Sequence, residues 1–261
     1  MSFSQILIDF ILKFIEPSFY FVKNNKIVNH KVNNSTKFKV RIGTSDRFIV
    51  WEVWKYKEYA DDKYFTIGSS DVVVDIGAHI GSFSVYAAKM APKGHVYAYE
   101  PAKNNYNLLV ENIKLNKIDN ISAFNIAILN KKDKINLFIA KENPGGTSIY
   151  KNIWSKKRVI VPTITLKDIF TRNRLKKIDF LKLDAEGAEY KILLNSQPEI
   201  LKKIDKMVIE FHDFLHTGHT YGELKLYLEK NGFHVTSTTP WIVRGLLKIG
   251  ILKAKRLPYR I

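Results

Sequence analysis

From residue 71 onward, short β-rich apolar runs alternate with segments whose apolar residues recur at helical spacing. The predicted strands are 71–76, 95–99, 120–126, 178–184, 206–212 and 233–238. The predicted helices between them are 81–90, 103–116, 187–194 and 221–231. This alternation is typical of a mostly parallel sheet with crossover helices. The sequence therefore predicts an α/β fold, with residues 71–240 as its main domain.

The first 70 residues are expected to form an extension that consists of an amphipathic helix and strands. Asp9, Lys13 and Glu16 recur every three to four residues in an apolar run, and Pro17 ends that run short of the ~20 residues that a bilayer span needs. Neither a transmembrane anchor nor a secretion signal is predicted. The helix is expected to pack on the body of the protein or on a second copy, or to lie on a membrane surface.

The pattern is less regular between residues 131 and 168. Extra strands are predicted at 135–140 and 158–162, around a turn-rich segment at 144–148. That turn is interpreted either as a plain hairpin or as a segment that closes over a substrate. The aromatic-rich segment 51–59 is interpreted as ordinary core, or as one wall of an acceptor pocket.

The composition excludes some chemistry and points to charged partners. The chain has no cysteine, which excludes disulfides, thiolate metal sites and thiol nucleophiles; a cytoplasmic location is expected, with peripheral membrane contact left open. The net charge is +17, concentrated in 151–182, with ten basic and two acidic residues, and in 241–261, with six basic and no acidic residues, which is expected to be a basic tail. Such charge suits RNA, an anionic membrane surface or phosphorylated substrates, although it equally serves solubility.

A strand that enters a glycine loop and opens a helix is the strongest single motif. The loop runs from Asp75 to Gly81, and it places His79 where the second glycine of a dinucleotide fingerprint would admit a diphosphate. S-adenosylmethionine (SAM) has no diphosphate. Its ammonium and carboxylate are complemented by an acid such as Asp75 and by backbone N–H groups at a helix start. The loop therefore favours SAM over a dinucleotide.

A second acid stands at the end of the next predicted strand. Glu100 lies between Tyr99 and Pro101, twenty-five residues after Asp75. A carboxylate at the carboxyl edge of the sheet can accept from both ribose hydroxyls, and it would repel a 2′-phosphate. Glu100 is therefore the predicted ribose ligand.

Three carboxylates lie at the end of the predicted strand 178–184 and just after it. Asp184 and Glu186 could orient an acceptor hydroxyl, act as a base or bind a divalent cation. The alternative is that Glu186 and Glu189 only stabilise a helix N-terminus, which contributes about 0.3–1 kcal/mol without a catalytic role.

Three histidines lie at the end of the predicted strand 206–212 and just after it. His212, at the edge of the sheet, is the predicted base for an acceptor hydroxyl, unless it only satisfies a core hydrogen bond. His212, His216 and His219 could suggest a metal site, but Gly218 interrupts a continuous helix and no cysteine supports zinc. No metal site is predicted.

Over residues 71–214 the chain resembles the SAM-dependent methyltransferases, and more closely the FkbM family among them. The resemblance rests on the segments 75–81, 99–101, 125–128 and 178–189, of which the last is the most specific. It implies a Rossmann-like class I methyltransferase fold with a seven-stranded sheet and helices on both faces. It also implies transfer of a methyl group from SAM to a hydroxyl of a sugar, lipid or polyketide.

The resemblance also implies roles for individual residues. The loop from Asp75 to Gly81 would hold the methionine part of SAM, and Asp184 would lie beside the reactive methyl group. The implied cofactor-binding residues are Asp75, Gly77, Ala78, His79, Gly81, Glu100, Pro101, Asn125, Ala127 and Asp184. In this set Glu100 binds the ribose, and Asn125 and Ala127 border the adenine.

The leading hypothesis is an O-methyltransferase that acts on a sugar, glycolipid or related small metabolite, with His212, Asp184 and Glu186 as its catalytic residues. One alternative is an RNA methyltransferase that uses the basic surface. Another is a non-catalytic binding module for membrane or nucleic acid on the same fold. Assembly with a second copy of the chain is left open.

Overall fold

The computed structural model describes residues 26–60, 65–140, 144–151, 155–213, 219–239, 244–246 and 248–257. The strands, in chain order, are β1 (Ile27–Asn33), β2 (Thr36–Arg41), β3 (Val72–Ile76), β4 (His95–Tyr99), β5 (Ile121–Phe124), β6 (Ala127–Ile128), β7 (Asp133–Ala140), β8 (Ser155–Ile164), β9 (Ile178–Leu183), β10 (Ile204–His212), β11 (Phe233–Ser237) and β12 (Ile249–Arg256). The helices are α1 (Asp46–Trp54), α2 (Ser82–Met90), α3 (Lys103–Leu115), α4 (Leu166–Arg172), α5 (Glu189–Leu193), α6 (Pro198–Leu201) and α7 (Tyr221–Lys230). Among the described residues, no helix combines the length and the apolar character needed to cross a membrane. The expected N-terminal amphipathic helix and His216 lie outside the described residues.

Seven strands form the central sheet, in the order β11-β12-β10-β9-β3-β4-β5. Neighbours from β10 to β5 run parallel, whereas β12 runs antiparallel to both β10 and β11. The predicted α/β class and its seven-stranded, mostly parallel sheet are confirmed. The chain moves outward from β3 to β5 and then returns to β9 on the other side of β3. Strand order therefore reverses between β3 and β9, and their carboxyl ends border the crevice in which α/β proteins bind ligands.

The central strands are apolar on both faces because helices cover both sides of the sheet. Successive residues of a strand point to opposite faces. Val74 and Leu181 accordingly belong to the larger core cluster, and Val73 and Phe180 to a cluster on the opposite face. All four side chains are fully buried. Burial on both faces explains why these strands read as continuous apolar runs.

The segment 241–261, expected to be a basic tail, instead supplies a strand of the central sheet, so this part of the prediction is wrong. Strand β12 lies between β10 and β11, and most of its side chains are buried. The basic residues of β12 interrupt the apolar pattern from which a buried strand is predicted. Lys253 is buried, with its ammonium 5.5 Å from the centre of the Phe65 ring, and the Arg256 guanidinium donates to the carbonyl of Leu201.

Two smaller sheets flank the central one. Strands β6, β8 and β7 form a three-stranded sheet, which confirms the extra strands predicted between 131 and 168. Strands β1 and β2 form an antiparallel hairpin. The Asn112 side chain of α3 accepts from the backbone N–H of Lys39 and donates to the Lys39 carbonyl, so the hairpin is fastened to the main domain.

The aromatic segment 51–59 packs mainly as core. Trp54 meets Tyr86 edge-on at 5.4 Å between ring centres, and Tyr59 meets Phe83 edge-on at 5.6 Å. These contacts join the N-terminal extension to helix α2. The Tyr59 hydroxyl, however, reaches toward the carboxyl end of β10 and takes part in the site described next.

Candidate active site

The loop after β3 touches the chain that leaves β9. Gly77 has φ +80°, and a Cβ atom there would lie 1.6 Å from the carbonyl oxygen of Asp184. The backbone N–H of Asp184 also donates to the Ile76 carbonyl, at 3.0 Å. Only glycine fits at position 77, because both the positive φ and the close approach exclude a side chain. The predicted cofactor loop and the predicted catalytic segment are therefore in direct backbone contact.

The loop is tied to the end of β4 through Glu100. One carboxylate oxygen of Glu100 accepts from the N–H of His79 and the other from the N–H of Ala102, both at 2.8 Å. Burial raises the pKa of Glu100 to about 7, against the opposing effect of these two donors. A carboxylate has about four acceptor positions, so Glu100 retains capacity for a ribose hydroxyl.

Asn125 holds the backbone beside Glu100. Its side-chain amide donates to the carbonyls of Glu100 and Pro101, each at 2.9 Å. Ala127 follows in β6 and is buried. In this structure Asn125 shapes the turn at the end of β4, and the adenine-border role of Asn125 and Ala127 stays a prediction.

Asp75 lies beneath the loop and is completely buried. One oxygen accepts from the Ser84 hydroxyl at 2.6 Å, and the other lies 3.4 Å from the ammonium of Lys182. Its carboxylate thus faces side chains of the protein. The role of Asp75 in holding the methionine part of SAM stays a prediction.

Lys182 is a central residue that the sequence analysis passed over as part of a strand. Its ammonium donates to the Gly77 carbonyl at 2.8 Å and lies 3.3 Å from a carboxylate oxygen of Asp184. It also lies 5.4 Å from the centre of the Tyr59 ring. Burial lowers the pKa of Lys182, but the carboxylates of Asp184 and Asp75 outweigh this effect and raise it. The signal in the sequence that could have identified Lys182 was a lysine among the apolar residues of a buried strand.

The Tyr59 hydroxyl donates to the carboxylate of Glu210 at 3.0 Å. Burial, followed by the charge of Glu210, raises the pKa of Tyr59 well above its ordinary value, so the hydroxyl keeps its proton. Glu210, on β10, adds another carboxylate near Asp184 and Lys182, and sequence reasoning did not single it out.

Glu186 and His212 face each other across the ends of β9 and β10. The Nε2 atom of His212 lies 3.7 Å from a Glu186 oxygen, and its Nδ1 atom lies 3.3 Å from a Glu189 oxygen. Burial raises the pKa of Glu186 to about 8. Burial also lowers the pKa of His212, but the carboxylates of Glu186 and Glu189 outweigh this and raise it well above its ordinary value.

Glu189, which the sequence analysis considered mainly as a helix-terminus acid, is completely buried and organises this segment. Its carboxylate accepts from the N–H of Ala185 at 2.8 Å and from the N–H of Gly187 at 3.0 Å. The Ser148 hydroxyl donates to the Glu186 carbonyl at 2.5 Å. The turn 144–148 therefore braces the Glu186 backbone, and its proposed closure over a substrate stays a prediction.

The structure brings together the three predicted catalytic residues. Asp184, Glu186 and His212 each offer a donor atom, and these atoms lie within 4.8 Å of one another. His219 is not part of this group. It pairs with Glu223 at 2.9 Å on the surface. The group can accept a proton or bind a cation.

Residues 75–235 match the family described as the methyltransferase FkbM domain. The chain belongs to this family. Methyltransferase 1 of Beauveria bassiana is 26% identical over 223 residues, which cover 77% of this chain and 88% of that protein. A tRNA(Phe) (4-demethylwyosine(37)-C(7)) aminocarboxypropyltransferase of Methanocaldococcus jannaschii is 44% identical over 57 residues, 22% of this chain and 23% of that protein. The crystal structure of methyltransferase FkbM from Methylobacillus flagellatus has a TM-score of 0.48 and 15% identity, over 79% of this chain and 53% of that chain.

The predicted family, enzyme class and cofactor are confirmed: this FkbM-family chain is a SAM-dependent methyltransferase. The residues at the crevice also fit SAM chemically. Glu100 keeps acceptor capacity for a hydroxyl at the end of β4, and Asp184, whose side chain is 23% exposed, offers a carboxylate beside the loop. A carboxylate suits the ammonium and sulfonium groups of SAM.

Proposed function

We propose that this FkbM-family enzyme transfers the methyl group of SAM to a hydroxyl oxygen of a sugar, glycolipid or related small metabolite. The observation that carries the proposal is the backbone contact between the cofactor loop at Gly77 and Asp184. This contact supports a catalytic role for Asp184, Glu186 and His212, because it puts their proton-accepting groups beside the loop that holds the methyl donor. Oxygen acceptors gain from such groups, since an ordinary hydroxyl must lose its proton during methylation.

Bound SAM supplies an electrophilic methyl group on a sulfonium sulfur. The protein would position the acceptor hydroxyl for attack on that methyl group, and holding two bound reactants together would provide most of the catalysis. The proton that the hydroxyl loses would pass to a base of the protein.

The different exposure of the three side chains supports an order in which they meet the acceptor. Glu186 and Asp184 have side chains that are 24% and 23% exposed, whereas the His212 side chain is 5% exposed. Glu186 is therefore proposed to meet the acceptor hydroxyl, with His212 behind it. In this arrangement His212 orients Glu186, rather than touching the acceptor first as the sequence analysis expected.

The charge of the site supports a neutral acceptor group. Asp184, Glu186 and Glu210 stand near the proposed acceptor position, and Lys182 already interacts with Asp184. A phosphate at the reacting position would meet these carboxylates and be repelled. A sugar hydroxyl meets no such penalty.

RNA is the second candidate acceptor. Its support is the local similarity to the tRNA-modifying protein of Methanocaldococcus jannaschii and a group of exposed basic residues. That group consists of Lys157, Arg158, Lys167, Arg172, Arg174 and Lys176. Because each phosphate contact releases counterions, binding to RNA would weaken steeply with added salt, whereas binding of a neutral sugar would not.

The test is to incubate the protein with methyl-labelled SAM and fractionated cell extract, with Glu186→Gln as the matched inactive control. Label in carbohydrate or glycolipid that depends on Glu186 is the expected result. Label that enters RNA, and is suppressed by moderate salt, would replace the sugar proposal by the RNA one. Absence of any Glu186-dependent label would overturn both.

A further inference from the structure

The donor atoms of Asp184, Glu186 and His212 lie close enough together for small side-chain rotations to bring all three into contact with one metal ion. They come from three different backbone positions at the carboxyl ends of β9 and β10, and all lie within 4.8 Å of one another. In octahedral coordination at about 2.0–2.1 Å, neighbouring ligands stand about 3 Å apart and opposite ones about 4 Å apart. The Nε2 atom of His212 and the Glu186 oxygen, 3.7 Å apart, already fall within this range.

A second carboxylate orients the imidazole from behind. The Nδ1 atom of His212 lies 3.3 Å from Glu189, whose own oxygens are held by the backbone N–H groups of Ala185 and Gly187. Histidine ligands in proteins usually contact a carboxylate or carbonyl through the nitrogen that does not bind the metal. The buried Glu189 thus leaves Nε2 as the nitrogen directed toward Glu186 and Asp184.

Carboxyl groups outnumber basic groups around this position. Asp184, Glu186, Glu189 and Glu210 are four carboxyl groups, against the ammonium of Lys182 and the imidazole of His212. Lys182 contacts one oxygen of Asp184, so the second oxygen of that carboxylate is available to a ligand. Two carboxylates and one imidazole suit Mg²⁺ or Mn²⁺, which favour oxygen-rich sites, and Mn²⁺ tolerates the nitrogen ligand.

We propose that Asp184, Glu186 and His212 bind one divalent cation of the Mg²⁺ or Mn²⁺ class, with Glu189 as the positioning residue for His212. The proposal rests on the proposed function, because the ion would also coordinate the acceptor hydroxyl. Coordination weakens the O–H bond, and the proton passes to the carboxylate oxygen of Glu186 that does not bind the metal. His212 then serves as a ligand and its Nε2 atom takes no proton.

The direct test is to titrate metal-stripped full-length protein with Mn²⁺. Binding is measured as the loss of the free-ion signal in electron paramagnetic resonance. The wild type is expected to bind one equivalent. Asp184→Asn, Glu186→Gln and His212→Gln are each expected to weaken binding at least 10-fold, and Glu189→Gln by about 10- to 100-fold. Glu223→Gln is the matched control, since it removes the carboxylate of the surface His219 pair and should bind as the wild type does.

Thermal melting and calorimetry with SAM in the presence of a chelator separate loss of the metal site from loss of the fold. Wild-type protein that does not bind Mn²⁺ at 1 mM overturns the inference, as do folded Glu186→Gln and His212→Gln variants that bind like the wild type. Methyl transfer is then measured with and without Mg²⁺. Methyl transfer at full rate in chelator, with no Mn²⁺ bound, overturns the metal site and leaves the proposed function standing. Mn²⁺ binding to a protein that transfers no methyl group leaves the metal site standing and overturns the proposed function.

Discussion

Replacing Lys182 by methionine tests whether one buried cation holds the cofactor loop and the catalytic segment together. Methionine keeps most of the apolar stem and removes the charge. In the wild type the ammonium lies 3.4 Å from Asp75 and 3.3 Å from Asp184. At an effective dielectric constant of 20, each contact is worth about 5 kcal/mol in direct Coulomb energy. The cost of burying the charges offsets much of this, so removal of one partner from a buried group typically costs 3–5 kcal/mol.

We therefore expect Lys182→Met to lower the free energy of unfolding by about 3–5 kcal/mol, a large fraction of the 5–15 kcal/mol of an ordinary domain. Urea denaturation at neutral pH measures the loss. Lys177→Met, one residue before the same strand, removes an ammonium that is 49% exposed and pairs with Asp179 and Asp205. Because that ion pair is at the surface, its loss is expected to cost less than about 1 kcal/mol.

A change of pH and a second substitution, at Asp75, identify the cause of the lost stability. Burial raises the pKa of Asp75 even with Lys182 present, and without the ammonium this pKa rises further. The folded variant then binds a proton that the unfolded chain does not, so its stability should recover as the pH falls toward 5. Asp75→Asn in the Lys182→Met background should restore stability at neutral pH. A loss no larger than that of Lys177→Met, or a double variant without recovery, would refute the reasoning.

Three further predictions concern the cofactor loop and the catalytic segment. Gly77→Ala should abolish measurable SAM binding in calorimetry, because the new Cβ atom would lie 1.6 Å from the Asp184 carbonyl; unchanged affinity would show that the loop can move away. His212→Ala should leave the Kd for SAM within a fewfold and lower kcat by about 10²-fold or more, and an unaffected kcat would remove His212 from the mechanism. Burial raises the pKa of Glu100 to about 7, so SAM affinity should fall as the pH drops from 8 to 6 and its ribose ligand becomes protonated. Glu100→Gln should bind SAM weakly at every pH, and an equally steep pH profile in this variant would place the titrating group elsewhere.

The parts of the site that the sequence predicted lie within single strand-loop segments. Asp75, Gly77 and Glu100 each follow an apolar run at the position where a parallel strand must end, and strand ends share one edge of the sheet. The order of these segments was enough to predict the α/β class and to favour SAM over a dinucleotide, whereas the seven-stranded sheet and the position of Asp184 beside the methyl group were implied by the resemblance to the FkbM family. Periodicity and local spacing carry this kind of information.

Residues that act across the sheet were harder to predict. Lys182 contacts Gly77 from a strand 105 residues away, and Tyr59 contacts Glu210 across 151 residues. Such pairs depend on strand order and register, which local pattern does not specify. Strand β12 was missed for another reason: Lys253 is buried and Arg256 donates to backbone carbonyls, so a strand of the sheet has the composition of a basic tail.

On the proposed function, an exposed basic surface and a carboxylate-rich site would act at different stages. The exposed basic residues of 151–182 would attract anionic partners over about a Debye length, which speeds encounter without choosing the reacting atom. The carboxylates around Asp184 would reject negative charge at the reacting position. The proposed acceptor would therefore carry a neutral hydroxyl at the point of reaction and negative charge elsewhere, as a glycan on an anionic lipid does. For such an acceptor, added salt should raise KM and leave kcat unchanged, whereas charge removal at Glu186 should lower kcat.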